Sequence, residues 1–364
     1  MRILFAGGGT GGHIYPALAL ARHLVATDRA DVLFVGTVHG MEKELVPAAG
    51  FRLETIPVVG LQRRFSLQAG RAVFLAASAV FAASRLIRNF KPDLVVGTGG
   101  YVAGPVVLAA VLARIPTVIH EQNTIPGLTN ILLSRITKRV CLSFPGTEQY
   151  FPRPDRTVFT GNPRASEAAA ASGKGSNELS LRRQRPVLLC VGGSHGAAKL
   201  NQAFSEAVGQ VLAAGDAQAV YITGKRYFAE LALKLAPLAS RFPNRLHILP
   251  YHPDLPELLR KADLLICRAG ATTLAEVTAL GVPAVLVPSP NVTNNHQEHN
   301  ARFLSEQGAA VLLKESQLSS QSLAELLVEL LADGPRLKKM AAASRALGVP
   351  DAAERMAGII RKLV

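Results

Sequence analysis

The opening stretch, "MRILFAGGGTGGHIYPALALARHL" at 1–24, decides the fold. A short apolar run at 3–6 reads as a buried strand, five glycines follow within six residues, and an amphipathic stretch begins at Ile14. Pro16 falls in the first turn of that predicted helix, where its fixed φ is tolerated, and Ile14, Leu18, Ala21 and Val25 share one face. Gly7, Gly9 and Gly12 satisfy G-x-G-x-x-G in the strand–turn–helix setting that gives this pattern meaning. Lacking a Cβ, such a turn lets backbone approach a ligand, and amides at a helix N-terminus suit an anionic or strongly polar group. A tight turn with no ligand fits the same residues.

A dinucleotide site also wants an acid at the end of the second strand to hold a ribose. Here that strand, "DVLFVGT", ends in Gly36 and Thr37, which argues against NAD. A Walker loop fails too, because Gly173-Lys174 and Gly224-Lys225 lack the upstream glycine and the following Ser or Thr. His13 is the sharper clue. Imidazole is the commonest general base near neutral pH, so His13 is the candidate catalytic residue; the alternative is a cap or hydrogen-bonding group.

The same grammar continues along the chain. Apolar runs at 3–6, 32–36, 94–97, 117–119 and 139–142 predict buried strands, separated by helices around 14–26, 41–49, 67–90, 103–113 and 126–135. The segment 164–186 is small and polar and reads as a linker or exposed turn. Then "PVLLCVGGSHGAAKLNQAFSEAV" restarts the strand–turn–helix pattern. Further strands are expected at 218–223, 246–249, 264–267, 284–287 and 310–313, with helices around 227–239, 254–261, 272–280, 295–306 and 319–332. Alternating strands and helices imply βαβ units and a parallel sheet, here twice. The expectation is an α/β chain of two Rossmann-like domains facing across a cleft, 1–163 and 164–350, with a last helix at 351–364 joining the first.

Composition bounds the partners. The 364 residues are 49% apolar and 18% charged, enough for a sizeable core. Cys141, Cys190 and Cys267 lie far apart in apolar runs, which suits buried free thiols in a reducing cytoplasm. The residues before the glycines are too few for a signal peptide, and no apolar run reaches the ~20 residues of a spanning helix. A net charge of +14 asks for an acidic partner. Nucleic acid is disfavoured, since aromatics make up only 5% and no helix-turn-helix signature appears. No acid lies between Glu54 and Asp93, a stretch holding Arg63, Arg64, Arg71, Arg85, Arg88 and Lys91. Mixed with Leu67, Val73, Phe74, Leu75, Phe81, Leu86 and Ile87, these make 61–91 a candidate docking segment for an anionic membrane surface, or else a core helix with a solvated basic edge.

Two more glycine turns follow strands. Gly192-Gly193-Ser194-His195-Gly196 adds a hydroxyl to backbone donors, a good diphosphate cradle, and Gly97-Thr98-Gly99-Gly100 with Gly104 could hold a second phosphorylated group. In "CRAGATTLAEVTALGVP", Glu276 can accept both hydroxyls of a ribose, and 269–273 leaves room for a ring. Downstream, Asn294, Asn295, His296, Gln297, His299 and Asn300 suit sugar hydroxyls. A solvated helix charge and a helix N-cap are the alternatives for Glu276 and for the Asn/His cluster.

Together these pieces resemble the MurG family, peripheral membrane glycosyltransferases of the two-domain GT-B class. The resemblance spans essentially the whole chain, and its most specific parts are "GGGTGGHIYPALAL", "GTGGYVAGP", "HEQNTIPGLTN", "FPGT", "GNP", "GGSHGA" with "KLN", and "CRAGATTLAE". It implies inverting transfer of GlcNAc from UDP-GlcNAc to the C4 hydroxyl of MurNAc in undecaprenyl-diphospho-MurNAc-pentapeptide (lipid I), giving lipid II for peptidoglycan. By motif, Thr10, Gly11, Gly12 and Asn123 would approach the donor from the first domain, and Ser194 would meet its diphosphate. Ala271, Thr272, Thr273, Leu274, Ala275 and Glu276 would hold sugar and ribose, Gln297 the GlcNAc, and the turn at Tyr251 and His252 the uracil. Gly9, Gly99, Gly100 and Tyr101 would form the loops for the acceptor diphosphate. Two positions depart from the family pattern. The family arginine usually stands two residues after the proline of "GNP", whereas here Arg164 follows Pro163 directly and Ala165 fills the usual place. His296 replaces a common glutamine, so Gln297 alone carries over. No D-x-D pair appears, so neither a metal nor another cofactor is implied. The resemblance further implies work at the cytoplasmic face of the inner membrane, with other cell-wall enzymes as candidate partners.

Overall fold

The computed structural model describes residues 1–58, 69–171, 179, 181–182, 184–192, 197–252 and 254–364, with the side chains of 69–76 excepted. The chain divides into two compact units, Met1–Glu167 with Val349–Val364, and Ala168–Gly348.

In the first unit, β1 (Arg2–Gly7), β2 (Asp31–Gly36), β3 (Arg52–Thr55), β4 (Leu94–Gly99), β5 (Thr117–Glu121), β6 (Arg139–Leu142) and β7 (Thr157–Phe159) form one sheet in the order β3-β2-β1-β4-β5-β6-β7. Every pairing is parallel. The period of two sends alternate residues to opposite faces. Ile3 and Phe5 join a core with helix Gly11–Asp28 and the C-terminal helix Ala352–Arg361, through Met356, Ala357 and Ile360. Leu4 and Ala6 join the other core, under helix Ala69–Phe90 and helix Ala103–Leu112. Because both faces are covered, the central strands are continuous apolar runs rather than alternating ones.

The second unit repeats the plan. Its strands β8 (Val187–Val191), β9 (Gln218–Ile222), β10 (Leu246–Leu249), β11 (Leu264–Cys267), β12 (Ala284–Leu286) and β13 (Ala310–Leu312) pair in parallel, in the order β10-β9-β8-β11-β12-β13. Leu188, Cys190, Tyr221 and Ile266 meet Phe204 and Val208 of helix Ala198–Ala214 and Leu327 of helix Ser320–Ala332. In both sheets the strand order reverses beside the first strand, so both glycine turns lie at a switch point beyond strand carboxyl ends.

The sequence expectations need three corrections. The strands β3 and β7 escape the apolar-run criterion because they are short edge strands, mostly exposed. The expected linker begins instead with helix Arg164–Ala170, whose Ala165 and Ala168 are buried; the chain passes from one unit to the other within it. Helix Gly334–Leu347 was also missed. Its buried residues are only Met340 and Ser344, so it carries no apolar stripe. The three cysteines are free and buried, and burial pushes the Cys141 and Cys267 thiols up to about 12, which leaves them inert.

Candidate functional site

The turn after β1 enters helix Gly11–Asp28 through Thr10, whose extended backbone (φ −137°, ψ 155°) marks the cap position. Thr10 O accepts from the His13 and Ile14 amides at 3.1 and 3.3 Å. His13 folds back over the turn. Its Nδ1 lies 3.0 Å from Gly8 O and 3.3 Å from Thr10 Oγ1. A carbonyl can only accept, so Nδ1 carries the proton and Nε2 holds the lone pair of the neutral ring. The far edge of the ring packs on Gly99, where a Cβ would stand 2.9 Å from Nε2.

A buried carboxylate lies beneath this turn. Glu42 opens helix Glu42–Ala48, and no part of it reaches solvent. Its Oε2 accepts from the Gly9 amide at 2.9 Å, and its Oε1 from the amide and hydroxyl of Thr37, both at 2.7 Å. A Cβ on Gly8, Gly36 or Gly40 would come within 2.4 Å of the Glu42 side chain, so the glycines make room for it. Burial works against the charge, but the bonds from Gly9 and Thr37 outweigh it and hold the carboxyl below its ordinary pKa. The second strand indeed ends without an acid; Glu42 reaches back to that strand end from the following helix.

The turn after β4 leans on the first. Gly100 has φ +78°, and a Cβ there would lie 2.4 Å from Gly8 O. Gly9, Thr10, Gly11, Gly12, His13, Gly99 and Gly100 therefore form one cluster, with the exposed Tyr101 next in the chain. Gln122 ties the following segment to it by donating from Nε2 to Thr98 O at 2.7 Å. His120, on β5, is buried with Nε2 3.0 Å from Ser143 Oγ. Burial pushes it down to about 4, so it is neutral at pH 7. Glu121 accepts from the Asn123 amide (2.9 Å), Asn123 Nδ2 (3.3 Å), the Gly127 amide (3.1 Å) and Asn130 Nδ2 (2.8 Å), which orients Asn123. Burial pushes the Glu121 pKa up against the pull of those donors. Arg164 pairs with Glu167 and sits 5.7 Å above the Tyr15 ring, itself packed against Gly11.

In the second unit, Ser194 lies outside the described residues, as do the other residues of the turn between Gly192 and Ala197. The turn is entered beside Asn201, whose Nδ2 donates to Thr223 O at 2.9 Å; a Cβ on Gly192 would stand 3.0 Å from its Oδ1. Helix Ala271–Leu280 starts after Gly270 with Ala271 and Leu274 buried and Thr272, Thr273 and Ala275 half-buried. Glu276 is only 4% exposed, which rules out a solvated helix charge. Arg268 donates to Val287 O (3.1 Å) and Pro288 O (3.3 Å) and pairs with Glu315. Gln297 Oε1 accepts from the Ser289 amide at 2.9 Å, and Asn300 Nδ2 donates to Ala269 O at 3.3 Å. These bonds knit the ends of β11 and β12 to helix His296–Glu306. Asn295, at the cap position, gives no side-chain cap and instead donates to Glu298 at 2.8 Å. His252 Nδ1 lies 2.9 Å from Asp254 O, beside the half-exposed Tyr251. Among the described residues no three metal-ligating side chains cluster, and no helix is long and apolar enough to cross a membrane.

Sequence reasoning missed Glu42, Asn201 and the pairing of Arg268 with Glu315. Glu42 left one faint signal, the glycines Gly36 and Gly40 flanking an acid that opens a helix.

Comparison with known proteins places this geometry. Residues 3–142 match the glycosyltransferase family 28 N-terminal domain and residues 187–356 its C-terminal domain. The chain is 44% identical over 365 residues, all of it and 99% of its relative, to the UDP-N-acetylglucosamine--N-acetylmuramyl-(pentapeptide) pyrophosphoryl-undecaprenol N-acetylglucosamine transferase of Halalkalibacterium halodurans. It is 45% identical to the enzyme of the same name from Oenococcus oeni, over 100% of this chain and 98% of that one. The crystal structure of Acinetobacter baumannii MurG, 32% identical, matches over 99% of both chains with a TM-score of 0.78. With both family 28 domains present and such similarity end to end, the chain belongs to the MurG family of GT-B glycosyltransferases.

Proposed function

We propose that this chain transfers GlcNAc from UDP-GlcNAc to the C4 hydroxyl of MurNAc in lipid I, with inversion, and that His13 is the base. The observation that carries the base assignment is the bond from His13 Nδ1 to Gly8 O at 3.0 Å, which leaves Nε2 as the proton acceptor. The hydroxyl oxygen attacks the anomeric carbon while its proton passes to Nε2. The bond from that carbon to the diphosphate oxygen breaks, and its electron pair leaves with UDP. In the second unit, Ser194 and the amides behind it take up the charge growing on the diphosphate. Glu276 holds the ribose, Gln297 the GlcNAc and the turn at His252 the uracil, with Ala271, Thr272, Thr273, Leu274 and Ala275 lining the helix start. From the first unit, Thr10, Gly11, Gly12 and Asn123 approach the donor, while Gly9, Gly99, Gly100 and Tyr101 receive the acceptor diphosphate. Arg164 is already engaged by Glu167 and Tyr15, and that counts against a direct donor contact.

The acceptor hangs from a lipid, so the enzyme docks at the cytoplasmic face of the inner membrane. Of the basic-apolar segment 61–91, residues 61–68 and the side chains of 69–76 lie outside the described residues. In the remainder, Phe81, Arg85 and Arg88 are exposed at i, i+4 and i+7, one face of a helix, which supports docking on anionic lipid. Binding to vesicles should rise with anionic lipid content and fall with salt; indifference to both would remove the docking role.

The testing experiment is UDP release from UDP-GlcNAc with and without a soluble-chain lipid I analogue. Release is expected to require the acceptor, and His13→Ala should lower turnover about 10²–10⁴-fold. Donor binding without acceptor-dependent release would make the chain a binding protein, and near-normal turnover in His13→Ala would discard the base.

A further inference from the structure

Glu42 and His13 touch the same peptide unit from its two ends. The Gly8–Gly9 amide donates its N–H to Glu42 Oε2 at 2.9 Å, and its carbonyl accepts from His13 Nδ1 at 3.0 Å. We propose that Glu42 is a positioning residue for His13, acting through the Gly8–Gly9 peptide as a relay that fixes the imidazole tautomer and supports its protonated form. This rests on the reading of His13 as the base.

The physics is that of a polarised hydrogen-bond chain. A carboxylate on an amide N–H draws the proton side of the peptide dipole and adds negative charge to the carbonyl oxygen, strengthening it as an acceptor by roughly 10–30%. The carbonyl accepts only from a protonated Nδ1, so the lone pair is directed to Nε2. When the ring takes a proton, the negative end of the chain faces the new cation. Glu42 can serve this purpose because it is ionised. Its bonds from Gly9 and Thr37 hold the carboxyl below its ordinary pKa against the cost of burial. The enclosure is built for it, since Gly8, Gly36 and Gly40 leave no room for a Cβ where the side chain lies. His120, whose charge would repel that of His13, is buried and neutral at pH 7. A Glu42→Gln side chain that keeps its oxygen on Thr37 turns an NH2 toward the Gly9 amide, donor against donor, and the relay is cut.

The test reads the histidine itself. In ¹⁵N-labelled protein, wild type should show the Nδ1–H tautomer of His13. Glu42→Gln should shift population toward Nε2–H and lower the ring's pKa. Turnover should fall about 10–100-fold, as it does when the hydrogen-bond partner orienting a metal-ligating histidine is removed, with KM for UDP-GlcNAc within about twofold. Thr37→Val, which removes one bond to Oε1 and leaves Oε2 on Gly9, should keep the wild-type tautomer. If Glu42→Gln does not fold, the wild-type protein still decides: the Gly9 amide resonance should move as His13 titrates. A Glu42→Gln variant with unchanged tautomer and pKa, or a Gly9 amide blind to His13 titration, overturns the relay. These readouts do not depend on turnover, so an active His13→Ala would discard the base while leaving the relay judged separately.

Discussion

The turn after β1 is anchored by a carboxylate, Glu42, which accepts from the Gly9 amide, while a carboxamide, Asn201, stands beside the end of β8 and donates to Thr223 O. Both side chains are buried, both occupy space that a glycine leaves free, and both bond the exit of the next strand, at Thr37 and Thr223. The topology demands an anchor at each place; the charge is an independent choice. With His13 as the proposed base, a carboxylate one peptide away favours the cation the ring becomes, whereas a carboxamide brings no charge to the end of β8. The difference teaches that the same position beside a strand end can carry a charge or none, which makes the charge a testable feature of the first unit alone.

The largest effect on donor binding is expected from replacing the second unit's carboxamide by the first unit's carboxylate. Asn201→Asp should raise KM for UDP-GlcNAc roughly tenfold or more, since a unit charge several ångströms away at an effective dielectric near 20 costs about 1–2 kcal/mol. Steady-state kinetics beside Asn201→Ala checks it. If the alanine variant raises KM equally, the lost bond to Thr223 accounts for the effect and the charge argument goes.

The glycines sharpen the comparison by a different route. Gly100 has φ +78° and meets Gly8 O at 2.4 Å, so Gly100→Ala combines left-handed strain with a backbone clash. About 2–4 kcal/mol of stability should be lost, visible as a lower Tm. At Gly192 a Cβ meets Asn201 Oδ1 at 3.0 Å, a side-chain atom that can shift, and the Thr223 carbonyl at a milder 3.3 Å, and Gly192→Ala should cost about 1 kcal/mol. Equal losses would mean that the first cluster is no tighter than the second turn.

Much of this was legible in the sequence because central parallel strands are covered on both faces. Runs such as "ILFA" and "VLLCV" then stand out unbroken, and a glycine turn after each marks the switch point. The edges were not legible: "RLET" and "TVF" gain their identity from a neighbour's hydrogen bonds and not from burial. Among the site residues, His13 and the turns at 7–12 and 97–100 were visible one by one, but their contact through Gly8 O is a product of β1 and β4 lying side by side. Glu42 reads as one of three charges in "EKE" until the fold brings it under Gly9. Glu121 and Asn201 sat inside quoted motifs without a role, because a residue that holds a loop leaves no spacing signature.

The smallest effect separates the anchors by pH. Glu42 has a folded pKa below the ordinary 4.5, so its contribution to stability is complete above about pH 4.5 and is lost as pH falls through the folded value. Glu121 is raised above 4.5, so it opposes folding at neutral pH and that opposition is relieved as pH falls through its folded value. The acid limb of a Tm-against-pH curve should therefore become shallower in Glu42→Gln and steeper in Glu121→Gln. Each change is bounded by about 1.4 kcal/mol per pH unit, the effect of one proton. Asn201→Ala should lower Tm by the same amount at every pH, because a carboxamide does not titrate. A parallel offset in Glu42→Gln as well would mean that Glu42 is held uncharged, and the electrostatic contrast between the two turns would vanish with it.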